Sequence, residues 1–86
     1  MSLSFVITSH YQGEHPATAI VHSTDIATRV MAAHLRSHIQ SDTPYADAVK
    51  DAEHAVETVM ESPGAVVTVR RGEVRVSIVR SHLAGV

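Results

Sequence analysis

The strongest pattern in this chain is helical and lies between residues 23 and 62. From residue 44 to residue 61, apolar residues recur every three or four positions, which places them on one face of a helix. Thr43 and Pro44 supply a start signal, and Ser62-Pro63-Gly64 supplies a stop. The apolar face is predicted to carry Tyr45, Val49, Ala52, Val56, Val59 and Met60. A preceding helix, capped by Ser23 or Thr24, is expected to be amphipathic as well.

Two histidines interrupt the apolar face of the first predicted helix. That face is predicted to carry Ile26, Ala27, Val30, Met31, Leu35 and Ile39, with His34 and His38 projecting from its middle. One helical turn separates the two imidazoles, so they can touch or share a ligand. Helical zinc sites use this spacing, and His10, His15 or His22 would complete a set of ligands. The simpler interpretation is that both are neutral, one in the helix–sheet layer and one at an interface.

Alternation of apolar and polar residues on either side of the helices predicts two β-hairpins. In the first, a strand over Leu3 to Ser9 is followed by a strand over Ala17 to His22. Two registers are compatible with the sequence, and the first pairs Phe5 with Ile20. In the second register, the loop is longer by one residue, and Ala17, Ala19 and Val21 lie on the core face instead. In either register, at least one of Val6 and Ile20 faces away from the helices.

The second predicted hairpin joins residues 65–70 to residues 73–80. With Arg71-Gly72 as a tight turn, Val69 opposes Val74, Val67 opposes Val76, and Ala65 opposes Ile78, all on one side. The other side receives Val66, Thr68, Arg70, Glu73, Arg75 and Ser77, including a cross-strand pair of Arg70 with Glu73. A four-residue loop with a left-handed Gly72 is the alternative, and it keeps the same alternation.

The order ββααββ predicts an α+β fold in one domain over residues 1–86. Its economical packing is two-layered, with a four-stranded antiparallel sheet and both helices on one face. The other face would be solvated, with its apolar members scattered among small polar residues: Val66, Val79, and Val6 or Ile20. With 86 residues and only Phe5, Tyr11 and Tyr45 as aromatics, the core is thin. We therefore expect a homodimer, through stacked faces or paired sheet edges.

Charge is distributed unevenly along the chain. Residues 1–62 have a balance of −5, whereas residues 63–86 have a balance of +3, and together they give the net −2. The positive end comes from four arginines, Arg70, Arg71, Arg75 and Arg80, against Glu73. These arginines are candidate interaction residues for nucleic-acid phosphates or for an acidic protein surface, such as the second helix of a neighbouring copy. The sequence has no aromatic stacking platform beside them and no glycine-rich phosphate loop.

Other function classes are disfavoured by what the sequence lacks. There is no cysteine, no apolar run of the ~18 residues that a membrane span needs, and no basic signal segment, so a soluble, cytoplasmic protein is expected. Serines adjoin histidines, but no nucleophile motif is present, so neither catalysis nor a cofactor is expected. The expected function is a non-enzymatic protein-interaction module acting as a homodimer, with an unidentified protein partner. The alternatives are a nucleic-acid-associated accessory or regulatory protein using the arginine hairpin, and metal binding or pH-dependent assembly by His34 and His38. The size and architecture resemble those of small phage and mobile-element proteins.

Overall fold

The sheet and helices follow the predicted order. The computed structural model describes residues 3–11, 15–36 and 45–81. Its elements are β1 (Ser4–Tyr11), β2 (Ala17–Val21), α1 (Thr24–Leu35), α2 (Tyr45–Glu61), β3 (Val66–Arg71) and β4 (Val74–Ser81). The strands form one antiparallel sheet in the order β2-β1-β4-β3, and α1 packs over β1 and β4 while α2 packs over β3 and β4. The predicted α+β fold, with both helices on one face of a four-stranded sheet, is confirmed.

Local hydrogen bonds mark the start of α1 and the end of α2. Ser23 rather than Thr24 caps α1, because its side-chain oxygen accepts a 3.1 Å hydrogen bond from the Ile26 amide. After α2, the Ala65 amide donates to the Ser62 carbonyl at 3.0 Å, and Gly64 adopts a φ of +90° that a side chain would disfavour. The predicted start at Thr43 and Pro44 lies outside the described residues. Neither α1 nor α2 is long and apolar enough to cross a bilayer.

The core lies between the sheet and the helices and is built largely from small side chains. The strands bury Phe5, Ile7, Val74, Val76 and Ile78, and the helices bury Ala27, Met31, Ala32, Leu35, Ala48, Ala52, Ala55, Val56 and Val59. On α2 the predicted Ala52, Val56 and Val59 are buried and Val49 and Met60 are half-buried, while Ala48 and Ala55 join the buried face in addition. The Tyr45 side chain lies outside the described part of the structure. The face of α1 differs from the prediction, because its buried arc is centred on Ala27 and Met31 and leaves Ile26 49% exposed. Ile39 lies outside the described residues.

The first hairpin adopts the second of the two registers. Phe5 lies opposite Val21, and Val6 lies opposite Ile20. Residues directly opposite one another share a face, so Val21 lies on the core face with Phe5. Successive side chains of a strand point to opposite faces. Both Val6 and Ile20 therefore lie on the face away from the helices.

The second hairpin is shifted by two residues from the predicted pairing. Val69 lies opposite Val76, and Val67 lies opposite Ile78, so the predicted partners were wrong. The two-residue loop is Gly72-Glu73, in which Gly72 has a φ of +61° and no described non-glycine residue has a positive φ. Glycine thus takes the first position of a type II′ turn, whereas the predicted tight turn on Arg71-Gly72 required a positive φ at an arginine. The left-handed Gly72 of the alternative four-residue loop is observed, but the pairing of that loop is not. A shift of two preserves the alternation, so the valines still face the helices as predicted.

Candidate functional site: the open face of the sheet

Three rows of side chains cross the sheet face that the helices leave uncovered, which we call the open face. The apolar row contains one residue from each strand: Ile20, Val6, Val79 and Val66. The hydroxyl row beside it contains Thr18, Thr8, Ser77 and Thr68. A third row, which we call the cationic row after its two arginines, lies on β1, β4 and β3 and contains His10, Arg75 and Arg70. The rows exist because three strand registers place these residues directly opposite one another.

The apolar row is continuous across the whole sheet. Ile20 and Val66, on the two edge strands, are 60% and 65% exposed, and Val6 and Val79 between them are half-buried. With neighbouring strands about 4.8 Å apart, the row is about 14 Å long. The sequence predicted scattered apolar residues on this face, and the structure instead aligns them. Water in contact with this row is released if another apolar surface covers it.

The hydroxyl row separates the apolar row from the cationic row. Thr68 Oγ1 and Ser77 Oγ share a hydrogen bond of 2.9 Å across β3 and β4. Two residues along a strand span about 7 Å, so the hydroxyl row lies about 7 Å from each of its neighbours. Its short side chains keep the middle of the open face flat.

The four predicted interaction arginines divide into two pairs. Arg71 Nε donates to Asp51 Oδ2 at 2.7 Å, and Arg71 Nη2 lies 2.5 Å from the same oxygen. Arg80 Nη1 donates to the carbonyl oxygen of Met60 at 3.3 Å, near the end of α2. These two arginines join the C-terminal hairpin to α2. Only Arg70 and Arg75 lie on the open face.

Arg70 and Arg75 are direct cross-strand neighbours of like charge. The predicted partner of Arg70 was Glu73, which is wrong because Glu73 lies in the turn and Arg75 takes the opposing position. The side chains of Arg70 and Arg75 make no hydrogen bond or ion pair with any residue that the structure describes. Nor does any described strand contribute a carboxylate to the open face. Like charges directly opposite destabilise a sheet, so this pair favours an anion from outside.

Acidic residues concentrate on the opposite layer of the molecule. The exposed side of α2 carries Asp47, Glu53, Glu57 and Glu61. On α1, Asp25 is paired with Arg29, its Oδ2 lying 3.2 Å from Arg29 Nη2. The charge asymmetry along the sequence thus becomes an asymmetry across the thickness of the fold, with an acidic helical layer and a basic open face.

The predicted histidine pair is described only in part. His34 is half-buried near the end of α1, and burial lowers its pKa below the ordinary value of 6.5 because the charged ring loses hydration. This occurs although the last turn of a helix favours a cation. His38 lies outside the described residues. Within 3–11, 15–36 and 45–81, no group of three or more His, Cys, Asp or Glu side chains is placed to hold a metal ion.

The structure also brings together a serine and a histidine that the sequence separates by 18 residues. Ser4 Oγ and His22 Nδ1 are 3.1 Å apart, and the same nitrogen lies 3.2 Å from the Leu3 carbonyl oxygen. A carbonyl oxygen only accepts, so that bond requires a proton on Nδ1, which then cannot take the Ser4 proton. Ser4 is also buried, at 1% exposure. The contact ties the end of β2 to β1, and it is not the arrangement of a nucleophile with its base.

A concavity lies between the outer surfaces of the two helices. It is an open groove of about 460 Å³, lined by Thr24, Asp25, Thr28, Arg29, Val49 and Glu53. The Arg29 and Asp25 side chains within it neutralise one another and are each 73% exposed. Solvent therefore already satisfies the polar groups of this groove. The groove offers a partner fewer unpaired charges and less apolar surface than the open face does.

The open face combines unbroken apolar surface with two uncompensated positive charges. Sequence alternation assigns its members to one face, but their alignment into rows depends on strand order and register, for which the sequence carries no separate signal. No protein-family model matches the chain, and no curated protein or solved structure matches it significantly.

Proposed function

We propose that this protein is a non-enzymatic interaction module that forms a homodimer by stacking the open faces of two copies. The observation that carries the proposal is the apolar row, which runs unbroken across all four strands with Ile20 and Val66 more than half exposed. Two stacked rows remove aliphatic surface from water, which is the general driving force for association. Face-to-face packing of sheets is also a common way to complete a thin core.

A second copy suits the open face better than a surface of different composition. A two-fold axis lying along the apolar row brings each row against itself, so the contact is self-complementary. The cationic row lies four residues away, or about 13 Å at about 3.3 Å per residue. In the two-fold pair, the Arg70 and Arg75 side chains of the two copies therefore lie at opposite ends and do not repel one another.

The size of the face sets the expected strength of the dimer. Four strands at about 4.8 Å and about 20 Å of strand length give a flat area of about 400 Å² per copy. Stable interfaces bury about 800 Å² per partner, so this dimer is weak. We expect a Kd on the order of 100 µM, which corresponds to about −5 kcal/mol.

Sedimentation equilibrium from about 10 µM to about 1 mM tests the proposal across this expected Kd. The disrupting variant is Ile20→Thr with Val66→Thr, which keeps β-branched side chains in the edge strands while removing apolar surface. The control is Ile26→Thr, which makes the same substitution at an aliphatic residue on α1 that is 49% exposed. We expect the wild type and the control to dimerise and the double variant to remain monomeric. A wild-type monomer at the highest concentration contradicts the proposal, and so does a double variant that dimerises as well as the wild type, because that result indicates pairing through sheet edges.

A further inference from the structure

We infer that the cationic row, His10, Arg75 and Arg70, binds the backbone phosphates of single-stranded nucleic acid. The inference rests on this row and not on the proposed dimer. Its starting point is the difference among the arginines: Arg71 is neutralised by Asp51 and Arg29 by Asp25, whereas nothing described neutralises Arg70 or Arg75. A phosphate between the two guanidinium groups converts a repulsive cross-strand pair into two favourable contacts.

The geometry of the row suits a phosphate chain. Cross-strand neighbours have Cβ atoms about 5 Å apart, so the forks of Arg70 and Arg75 can both reach one phosphate. His10 continues the row on the other side of Arg75, which gives a basic strip about 10 Å long across three strands. The neighbouring Thr8 hydroxyl can donate to phosphate or sugar oxygens, and the Thr68 hydroxyl can do so when Ser77 donates the hydrogen bond between them.

The flatness of the open face favours an extended backbone over a small enclosed anion. Short side chains border the cationic row, and the rows form no walled pocket that would surround a single ion. The described open face also carries no Phe, Tyr or Trp side chain on which bases could stack. We therefore expect contacts to phosphates alone, and so no dependence on base sequence.

The acidic helices do not cancel this attraction. The described helical carboxylates lie on the far side of the sheet, about one layer or 10 Å away, whereas Arg70 and Arg75 can contact a phosphate on the open face directly. The field near Arg70 and Arg75 is consequently set by the open face itself. The net charge of −2 still makes binding weak, so low salt is the condition in which to observe it.

Fluorescence anisotropy with a labelled oligothymidylate of about 20 nucleotides, titrated in about 50 mM salt, tests the inference. The test variant is Arg70→Gln with Arg75→Gln. The control is Arg29→Gln with Lys50→Gln, which removes the same two positive charges from the helical layer, so both variants carry −4 instead of −2. We expect at least tenfold weaker binding for the test variant and a salt slope reduced by about 1.4, with the control within about twofold of the wild type.

Three results overturn the inference. They are a wild type that does not bind the oligonucleotide, a control that loses as much affinity as the test variant, and a row that binds inorganic phosphate but not the oligonucleotide. The dimer is tested separately, because Ile20→Thr with Val66→Thr leaves the cationic row in place. That variant should still bind the oligonucleotide as a monomer, and Arg70→Gln with Arg75→Gln should still dimerise.

Discussion

The two faces of the sheet carry similar aliphatic residues, but these residues differ in how deeply they are buried. On β4, Val76 and Ile78 are completely buried beneath the helices, whereas Val79, next along the strand, points to the open face. On β1, Phe5 and Ile7 are buried and Val6 between them is only half-buried. Aliphatic composition alone therefore does not identify a core residue. The helical layer decides which side of each strand stabilises the monomer and which side remains for a partner.

The arginines of the C-terminal hairpin repeat this division. Arg71 and Arg80 reach the helical layer and bond to Asp51 and to the Met60 carbonyl. Arg70 and Arg75 lie on the other face without such bonds to described residues. The first pair is expected to contribute to folding and the second pair to binding.

Substituting neighbours on β4 should produce the largest contrast in stability. Ile78→Ala removes a buried side chain and leaves a cavity, so we expect it to lower the free energy of unfolding by about 2 to 4 kcal/mol. Val79→Ala on the open face should lower it by less than about 1 kcal/mol. Urea unfolding of dilute monomer measures both values. Equal losses at the two positions would show that the open face is as much a part of the folded core as the covered face.

The ion pair of Arg71 with Asp51, between the sheet and α2, should have an intermediate effect on stability. A double-mutant cycle with Arg71→Ala and Asp51→Ala is expected to give a favourable coupling of about 1 kcal/mol, since the pair is only partly exposed and two guanidinium nitrogens contact one oxygen. The same cycle with Arg70→Thr and Arg75→Thr should give a coupling of opposite sign and a few tenths of a kcal/mol. Finding the two couplings equal in sign would remove the distinction between the arginine pairs.

His34 should make the covered side sensitive to pH. Because its pKa is lowered in the folded protein, the unfolded chain takes up a proton below about pH 6.5 that the folded protein does not. Stability should therefore be unaffected by this group above that pH and fall as the pH decreases towards the folded pKa. Unfolding measured at about pH 7.5 and about pH 5 should show a smaller loss for His34→Gln than for the wild type. The exposed neighbour variant Ala33→Gln should lose as much stability as the wild type, and an identical loss in all three proteins would refute the prediction.

Much of the fold follows from the sequence because alternation and helical periodicity are local. The period of α2 and its Ser62-Pro63-Gly64 stop identify the helix, and alternation assigns the valines of β3 and β4 to the covered face. Pairing is harder, since a shift of two residues leaves every side chain on the same face. The position of the turn decides that shift, and the sequence alone permits more than one turn around Gly72, since a left-handed Gly72 fits both the observed two-residue turn and the predicted four-residue loop.

The candidate site was less predictable than the fold. Its residues were mostly assigned to the open face by alternation, but the apolar row requires the strand order β2-β1-β4-β3 and three registers together. The same holds for the arginines, because the bonds of Arg71 and Arg80 to α2 depend on how the helix lies over the sheet. Long-range arrangement of this kind has no local signature.

Stacking of the open faces can be observed directly by an isotope-filtered NMR experiment on an equimolar mixture of labelled and unlabelled protein at about 1 mM, well above the expected Kd. Stacking of the open faces predicts intermolecular contacts between the methyl groups of Val6, Ile20, Val66 and Val79, and none from Ile26 on α1. Intermolecular contacts from the helical layer instead, or no intermolecular contacts at that concentration, would show that the open faces do not stack.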